Sequence, residues 1–415
     1  MTNILKSVGV LVLITILTSF CAVEFPFQAE ASAQAQPELI NKAASVSDIP
    51  AVVYQAWDGH IHELALRYGS WQHQDLSVAA GGAPSCYDLI AAIRRGDGVS
   101  AIYYKGSPDG SNLSHIYEIR LEGGRWQWSD LTNITGGPPV LQWYGADAYV
   151  RADGITAVVF WGGGLPNSHI IEYRLEGTWI SSAIDSTVSY NTDCEGVSAY
   201  VRSDNISSVV FSGGPPCDIY ELRMQGGWQL FNMTFPYGTP YNPGSTARGY
   251  ARSDGVSSVV YAPDEGSENR KIYELWLGST GWSHNTLTSL AGAPLASDGN
   301  IWPYVRGDGI NAVVYNTEDD RLGEIRLDDG WKSSDLPMHP YGLGCYEPRG
   351  YVRADGVTAV VCRYFSNSIW EVRLAQSGWT WSNLTSIAGA PNTNGRFDVY
   401  NRDFDYRVTL PMVLR

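Results

Sequence analysis

The sequence predicts an all-β chain, a seven-bladed β-propeller of four-stranded antiparallel blades whose ring is closed by a C-terminal strand. Three observations predict it. A motif of roughly 50 residues is written seven times, and self-similarity at such a period marks a repeat architecture. Gly, Trp and Tyr number 44, 15 and 25 of 415 residues, a composition of short aromatic strands and tight turns. The chain also ends in a spare strand that the first unit lacks, and pairing the two would remove the open sheet edges.

The repeat is read element by element. Its first two strands are clearest in Tyr149-Val150-Arg151-Ala152-Asp153-Gly154-Ile155-Thr156-Ala157-Val158-Val159-Phe160, which recurs at Tyr351-Val352-Arg353-Ala354-Asp355-Gly356. Variants begin at Arg95, Arg202, Arg252 and Arg306. Two apolar strands around a Gly- or Asn-containing turn are a hairpin signal. A third strand carries a glutamate in every unit: Glu63, Glu118, Glu172, Glu221, Glu274, Glu324 and Glu371. The intervals between them are 55, 54, 49, 53, 50 and 47 residues. A tryptophan opens the fourth strand seven or eight residues later, at Trp71, Trp126, Trp179, Trp228, Trp282, Trp331 and Trp379. Four strands per repeat, with no helical stretch expected between units, describe a propeller blade. The first unit starts at its second strand, Ala51-Val52-Val53-Tyr54, and Asp398-Val399-Tyr400-Asn401-Arg402 is the spare strand.

The N-terminus reads as a transport signal. Lys6 precedes an apolar run at 8–20, too short for the roughly 20 residues of a spanning helix. Ala29-Glu30-Ala31 and Ala31-Ser32-Ala33 are candidate cleavage sites. The expected organisation is a signal peptide at 1–33, a linker at 34–48 and the propeller at 49–415, in a secreted, periplasmic or extracellular protein. The formal charge of −15 argues against nucleic acid and anionic membranes, which need a basic footprint. Of six cysteines, Cys21 falls in the leader, so at least one of the remaining five is unpaired. Cys194 and Cys217 flank the first two strands of one unit and are the candidate disulfide, while Cys362, inside a strand, reads as a small buried residue.

The unit resembles the blade of the fungal fucose-binding lectins of the Aleuria type, which are six-bladed propellers. The resemblance is clearest in Ala51-Val52-Val53-Tyr54-Gln55 through Asp58-Gly59-His60-Ile61-His62-Glu63 and then Trp71. It implies a sugar gripped by the third-strand glutamate and stacked on an aromatic of the adjacent blade. The arginine that the family carries at the start of the second strand is replaced here by Ala51, Ala101, Ala157, Ser208, Ser258, Ala312 and Ala359. Arg95, Arg151, Arg202, Arg252, Arg306 and Arg353 stand one strand away. With strands about 4.8 Å apart, their guanidinium groups are within reach of the same pocket. Donors, a carboxylate acceptor and an indole face suit a polyhydroxylated ring.

Two readings of these residues stay open. Each Arg, Glu and Trp is either part of a repeated sugar site between blades or a packing element, the aspartate capping the turn and the arginine pairing with a carboxylate between blades. Catalysis would need one pocket unlike the others, as in a sialidase-like hydrolase. The repeat shows no such break, no metal-ligand spacing and no cofactor motif. His60, His115 and His169 precede the third strand in three units and read as exposed turn residues. The expected function is therefore non-catalytic carbohydrate binding with a glycan as partner. The alternative is an extracellular protein-interaction scaffold that uses its aromatic loops Leu141-Gln142-Trp143-Tyr144, Phe235-Pro236-Tyr237-Gly238 and His339-Pro340-Tyr341-Gly342.

Overall fold

The computed structural model describes residues 48–107, 113–141, 145–163, 169–185, 196–213, 218–234, 247–263, 270–342 and 344–402. The leader at 1–33, the linker up to residue 47, Cys194, Cys217, Gln142 to Tyr144, the loop 235–238 and the tail 407–415 lie outside the described residues.

Seven four-stranded antiparallel blades form the ring. Blade 1 is completed by the C-terminal strand Thr393–Arg402, which pairs with Ile49–Ala56 so that Ala51 faces Tyr400 and Val53 faces Asp398. Blades 2 to 7 occupy 86–130, 146–183, 197–232, 248–286, 296–335 and 346–383. The first strand of each blade touches the first strand of the next, and that of blade 7 returns to blade 1. These strands therefore line the axis. A two-residue strand, Val140–Leu141, also bonds to the third strand of blade 2 and the second of blade 3, fusing those two sheets.

The second strands show why the sequence folds this way. In Ala157-Val158-Val159-Phe160-Trp161 every residue is buried, because both faces of the blade are covered. Successive side chains point to opposite faces. Val158 and Phe160 thus pack against blade 2 with Tyr103 and Ile116, whereas Ala157, Val159 and Trp161 pack against blade 4 with Val209 and Phe211. Equivalent apolar clusters fill every other junction around the ring.

The Arg-x-Asp-Gly turn joins the first two strands. In blade 3 the Gly154 amide donates to the Arg151 carbonyl, and the Arg151 amide donates to the Ile155 carbonyl. The fourth turn residue must take a left-handed conformation, as Gly154 does at φ 83° and Asn205 at φ 61°. Glycine and asparagine tolerate that region best.

Two expectations are corrected. Short helices do stand between units, at Leu76–Ala79, Leu131–Thr135, Leu287–Ala291 and Leu384–Ala388. They form because Asp75, Asp130 and Asn383 cap them by accepting backbone amide hydrogen bonds, and because the first leucine of each is fully buried. At four or five residues they are too short to leave a helical period in the sequence. Cys362 is buried, but as half of a disulfide with Cys345 rather than as a free thiol.

Candidate functional site between blades

Each repeat arginine reaches the glutamate of its own blade. Arg306 Nη1 lies 2.9 Å from Glu324, Arg95 Nη1 3.0 Å from Glu118, Arg252 Nη1 3.2 Å from Glu274, and Arg353 Nη1 3.3 Å from Glu371. Arg151 and Arg202 sit 3.4 Å from Glu172 and Glu221. The second arm of each guanidinium goes to the turn aspartate two residues on, as from Arg353 to Asp355 at 2.7 Å and from Arg202 to Asp204 at 2.6 Å. The aspartate also accepts from the turn backbone, Asp153 from the Ile155 amide at 3.2 Å. The expected pairing of arginine with a carboxylate between blades is thus replaced by one within the blade, because the hairpin sets the two strands side by side.

A first-strand tyrosine joins the pair in several blades. Tyr304, Tyr351 and Tyr200 donate to Glu324, Glu371 and Glu221 at 2.7, 3.1 and 3.3 Å. Blade 1 repeats the set through Tyr400, which donates to Glu63 at 3.0 Å, and Arg402, which pairs with Glu63 at 2.9 Å. Arg402 is a seventh member that the sequence reading left out, although Tyr400-Asn401-Arg402 has the spacing of Tyr149-Val150-Arg151. All seven glutamates are buried. Burial pushes the Glu172 and Glu371 carboxyls up, against the pull of Arg151 and Arg353.

The tryptophan comes from the next blade. Trp282, Trp331, Trp379 and Trp126 lie 5.7, 5.7, 5.8 and 5.8 Å beneath the guanidinium groups of Arg202, Arg252, Arg306 and Arg402. Trp71, Trp126 and Trp179 are buried, and Trp228, Trp282, Trp331 and Trp379 partly so. A second link crosses the same junction. The amides of Gly96, Ala152, Ser203, Ser253 and Gly307 donate to Thr156, Ser207, Ser257, Asn311 and Thr358, the small polar residues that open the second strand of the following blade.

The junction of blades 1 and 2 carries an open groove, a cavity of about 520 Å³ lined by Glu63, Arg67, Tyr68, Gln72, Gln74 and Trp126 among others. Among the described residues Glu63 Oε2 makes no hydrogen bond, with Arg67 Nη2 standing 4.0 Å away, and the Trp126 indole nitrogen has no hydrogen-bond partner. Tyr68 is 84% exposed. Gln72 and Gln74 present amide side chains to this concave surface, while the Glu63 carboxylate oxygen and the Trp126 indole N–H lie buried in its wall without a hydrogen-bond partner among the described residues.

The axis is less uniform than the junctions. Two residues before each first-strand tyrosine, the blades present Asp398, Asp147, Ser198, Arg248, Trp302 and Arg349. Blade 2 has Ala91 there, before Ile93. Arg248 and Arg349 flank Trp302 at 4.7 and 4.3 Å. Burial pushes the Asp147 carboxyl up to about 6 and the Arg248 guanidinium down to about 10.

The histidines are corrected in part. His60, His115 and His169 are half-buried or nearly so rather than free in solvent, and bond to Asp75, Asp130 and Asp185 at 2.8, 2.8 and 3.2 Å. Of the aromatic loops, only Leu141 and His339 to Gly342 fall within the described residues. His339 is buried against Tyr364, its ring 4.2 Å away, and against Trp370 and Trp381, while Tyr341 stays 67% exposed. Burial holds the His339 imidazole down to about 4.

No protein-family model matches the sequence, and no curated protein matches it. Among solved structures the chain is similar to the AofleA protein of Arthrobotrys oligospora at 13% identity and a TM-score of 0.48, over 78% of this chain and 94% of that one. It is similar to the six-bladed fucose-recognising lectin of Aleuria aurantia at 14% identity and a TM-score of 0.44, over 75% and 97%. A GH93 α-L-arabinofuranosidase of Fusarium graminearum is similar at 11% and 0.45, over 72% and 94%. Likenesses this distant pass nothing about ligand or chemistry to this chain.

Proposed function

We propose that this chain is an exported, non-catalytic carbohydrate-binding propeller that takes a neutral sugar in the groove between blades 1 and 2. The groove carries the reading. Its volume of about 520 Å³ falls within the roughly 300–1,000 Å³ of small-ligand sites. Its polar lining suits a ring of hydroxyls: Gln72 and Gln74 donate or accept at the surface, and a small shift of the wall brings the buried, unpartnered Glu63 Oε2 and Trp126 indole N–H into reach. The exposed Tyr68 ring supplies apolar surface for the C–H face of a sugar. The same glutamate and neighbouring tryptophan recur at the other junctions, which supports weaker repeated sites gaining strength through multivalency. Glycoside hydrolysis calls for two carboxylates in unlike environments, whereas the Arg–Glu pair is alike from blade to blade.

A glycan array probed with the mature protein tests this, followed by calorimetry on the best ligand. Tyr68→Ala and Glu63→Gln are expected to weaken binding at least roughly fivefold, a loss of about 1 kcal/mol. The exposed Tyr68 change should leave the melting temperature in place. Absence of binding to every neutral or fucosylated glycan at high micromolar protein overturns the proposal.

One observation favours a second reading, a protein-interaction scaffold. Met338, Tyr341 and Phe365 are 64, 67 and 53% exposed around the His339 ring cluster, and exposed apolar patches mark interaction surfaces. Loss of a protein partner on Tyr341→Ser with unchanged glycan binding would select it.

A further inference from the structure

Blade 1 departs from its neighbours on one outer corner. Asp58 stands in the turn after Ile49–Ala56, and His60 ends that turn just before the third strand Ile61–Arg67. His62 is the second residue of that strand, and Asp75 ends the fourth strand directly opposite His62. One ligand atom from each of the four lies within 4.8 Å of every other. His60 Nδ1 is 2.8 Å from Asp75 Oδ2, and His62 Nε2 is 3.2 Å from both oxygens of Asp58. Behind them, His62 Nδ1 meets His73 Nε2 at 2.8 Å, with the two rings stacked.

The comparison with the other blades separates what the fold needs from what is added. A His–Asp pair alone is a repeat feature, since His115–Asp130 and His169–Asp185 occupy the same place in blades 2 and 3. In blade 2, however, the position of His62 holds Tyr117 and that of His73 holds Trp128, an aromatic pair 6.0 Å apart. In blade 6 the turn carboxylate equivalent to Asp58 is Asp319, already neutralised by Arg321 at 2.6 Å. Blade 1 alone among these combines an unneutralised turn carboxylate with two inward imidazoles in place of apolar rings.

We propose that Asp58, His60, His62 and Asp75 bind a divalent transition-metal ion of the zinc class. Two imidazole nitrogens and two carboxylates are a common zinc donor set, at about 2.0–2.2 Å per bond. Ligand atoms around such an ion lie roughly 3–3.5 Å from one another, so a contraction of the present cluster by about 1 Å suffices. The ion takes the place of the proton that each neutral imidazole holds toward its carboxylate. Each proton moves to the other ring nitrogen; for His62 this is Nδ1, which then donates to His73 Nε2, and the proton that His73 held on Nε2 moves to its own Nδ1. An outer hydrogen-bond acceptor of this kind fixes the tautomer and orientation of a metal-bound histidine. The half-exposed Asp58 carboxylate, at 49%, gives the ion its way in from solvent. Once bound, the ion ties the second–third strand turn of blade 1 to the end of its fourth strand.

Calorimetric titration of chelator-treated protein with Zn²⁺, paralleled by the visible absorption of Co²⁺, tests the proposal. The expected result is one ion per chain at micromolar affinity or tighter, with a raised melting temperature. Asp58→Asn and His62→Tyr should each weaken binding at least roughly thirtyfold. His62→Tyr installs the ring that blade 2 carries there, and the exposed Asp58 change leaves packing intact, so folding is preserved in both. His284→Ala, in blade 5, should change nothing. No binding up to about 1 mM Zn²⁺, or binding that survives both variants, overturns it.

Discussion

Tyr103 donates a 3.1 Å hydrogen bond to Glu118 from the second strand of blade 2, whereas Tyr200, Tyr304, Tyr351 and Tyr400 reach their glutamates from the first strand. The two arrangements are complementary. Blade 2 has Ile93 at the first-strand position, and the other blades have valine where blade 2 has Tyr103, as in Val159, Val210 and Val314. In these five blades one phenol donates to the buried carboxylate and one branched aliphatic side chain fills the space on the other strand, whereas the Tyr149 and Tyr250 hydroxyls of blades 3 and 5 make no such bond.

Tyr103→Val should therefore destabilise the protein by about 2–4 kcal/mol, through the lost hydrogen bond and the cavity together. Adding Ile93→Tyr should recover at least about 1 kcal/mol, although Ile93→Tyr alone is overpacked and destabilising. A double-mutant cycle read by denaturant unfolding checks this, and strict additivity would refute the exchange.

Arg306 and Glu324 supply a second cycle. Both are buried, and Glu324 also accepts from Tyr304 and Ser334. Arg306→Met strands a buried carboxylate and should cost about 3–5 kcal/mol. Arg306→Met with Glu324→Leu removes both charges and should cost clearly less than the single change. Equal losses in urea unfolding would mean that the pair contributes by shape alone.

The blade was legible because its signals are local. Arg-x-Asp-Gly fixes a turn, and an unbroken run such as Ala157 to Trp161 fits a strand covered on both faces. What was missed depends on register or on a neighbouring blade. Thr156 and Ser207 are visibly polar where a strand opens, but their partners, Gly96 and Ala152, sit some 55–60 positions away in another blade. His62 and His73 are eleven residues apart in sequence and meet only because the pairing of the third and fourth strands sets Leu64 opposite His73 and His62 opposite Asp75. The Cys345–Cys362 bond likewise needs the bulge between Tyr346 and Arg349 to bring the first-strand approach alongside the end of the second strand.

That disulfide closes a segment of 17 residues and holds Cys345 and Cys362 in one buried cluster with Trp370. Cross-linking a loop of this length contributes about 3 kcal/mol in the chain-entropy account. Cys345→Ala with Cys362→Ala should lower stability by about 2–3 kcal/mol, and reduction of the wild type with dithiothreitol should reproduce the loss. Identical unfolding curves with and without reductant would show the bond to be dispensable.

Asp147 gives the protein a pH dependence whose sign follows from its surroundings. Its carboxyl faces the axial channel, accepts from the Ala199 amide at 2.8 Å, and is pushed up to about 6 by burial, with Arg248 opposing. The unfolded carboxyl titrates near 3.9, so between about pH 4 and 6 the folded state binds the proton more tightly. The group then disfavours folding progressively as pH rises through that window. Asp147→Asn keeps an oxygen for the Ala199 amide and removes the ionisation. The variant should match the wild type near pH 4 and exceed it at pH 7.5 by about 1–2 kcal/mol, less than the full shift implies because channel water screens the charge. Unfolding free energies measured at the two pH values decide it, and a stability difference that does not change between them removes Asp147 as the source.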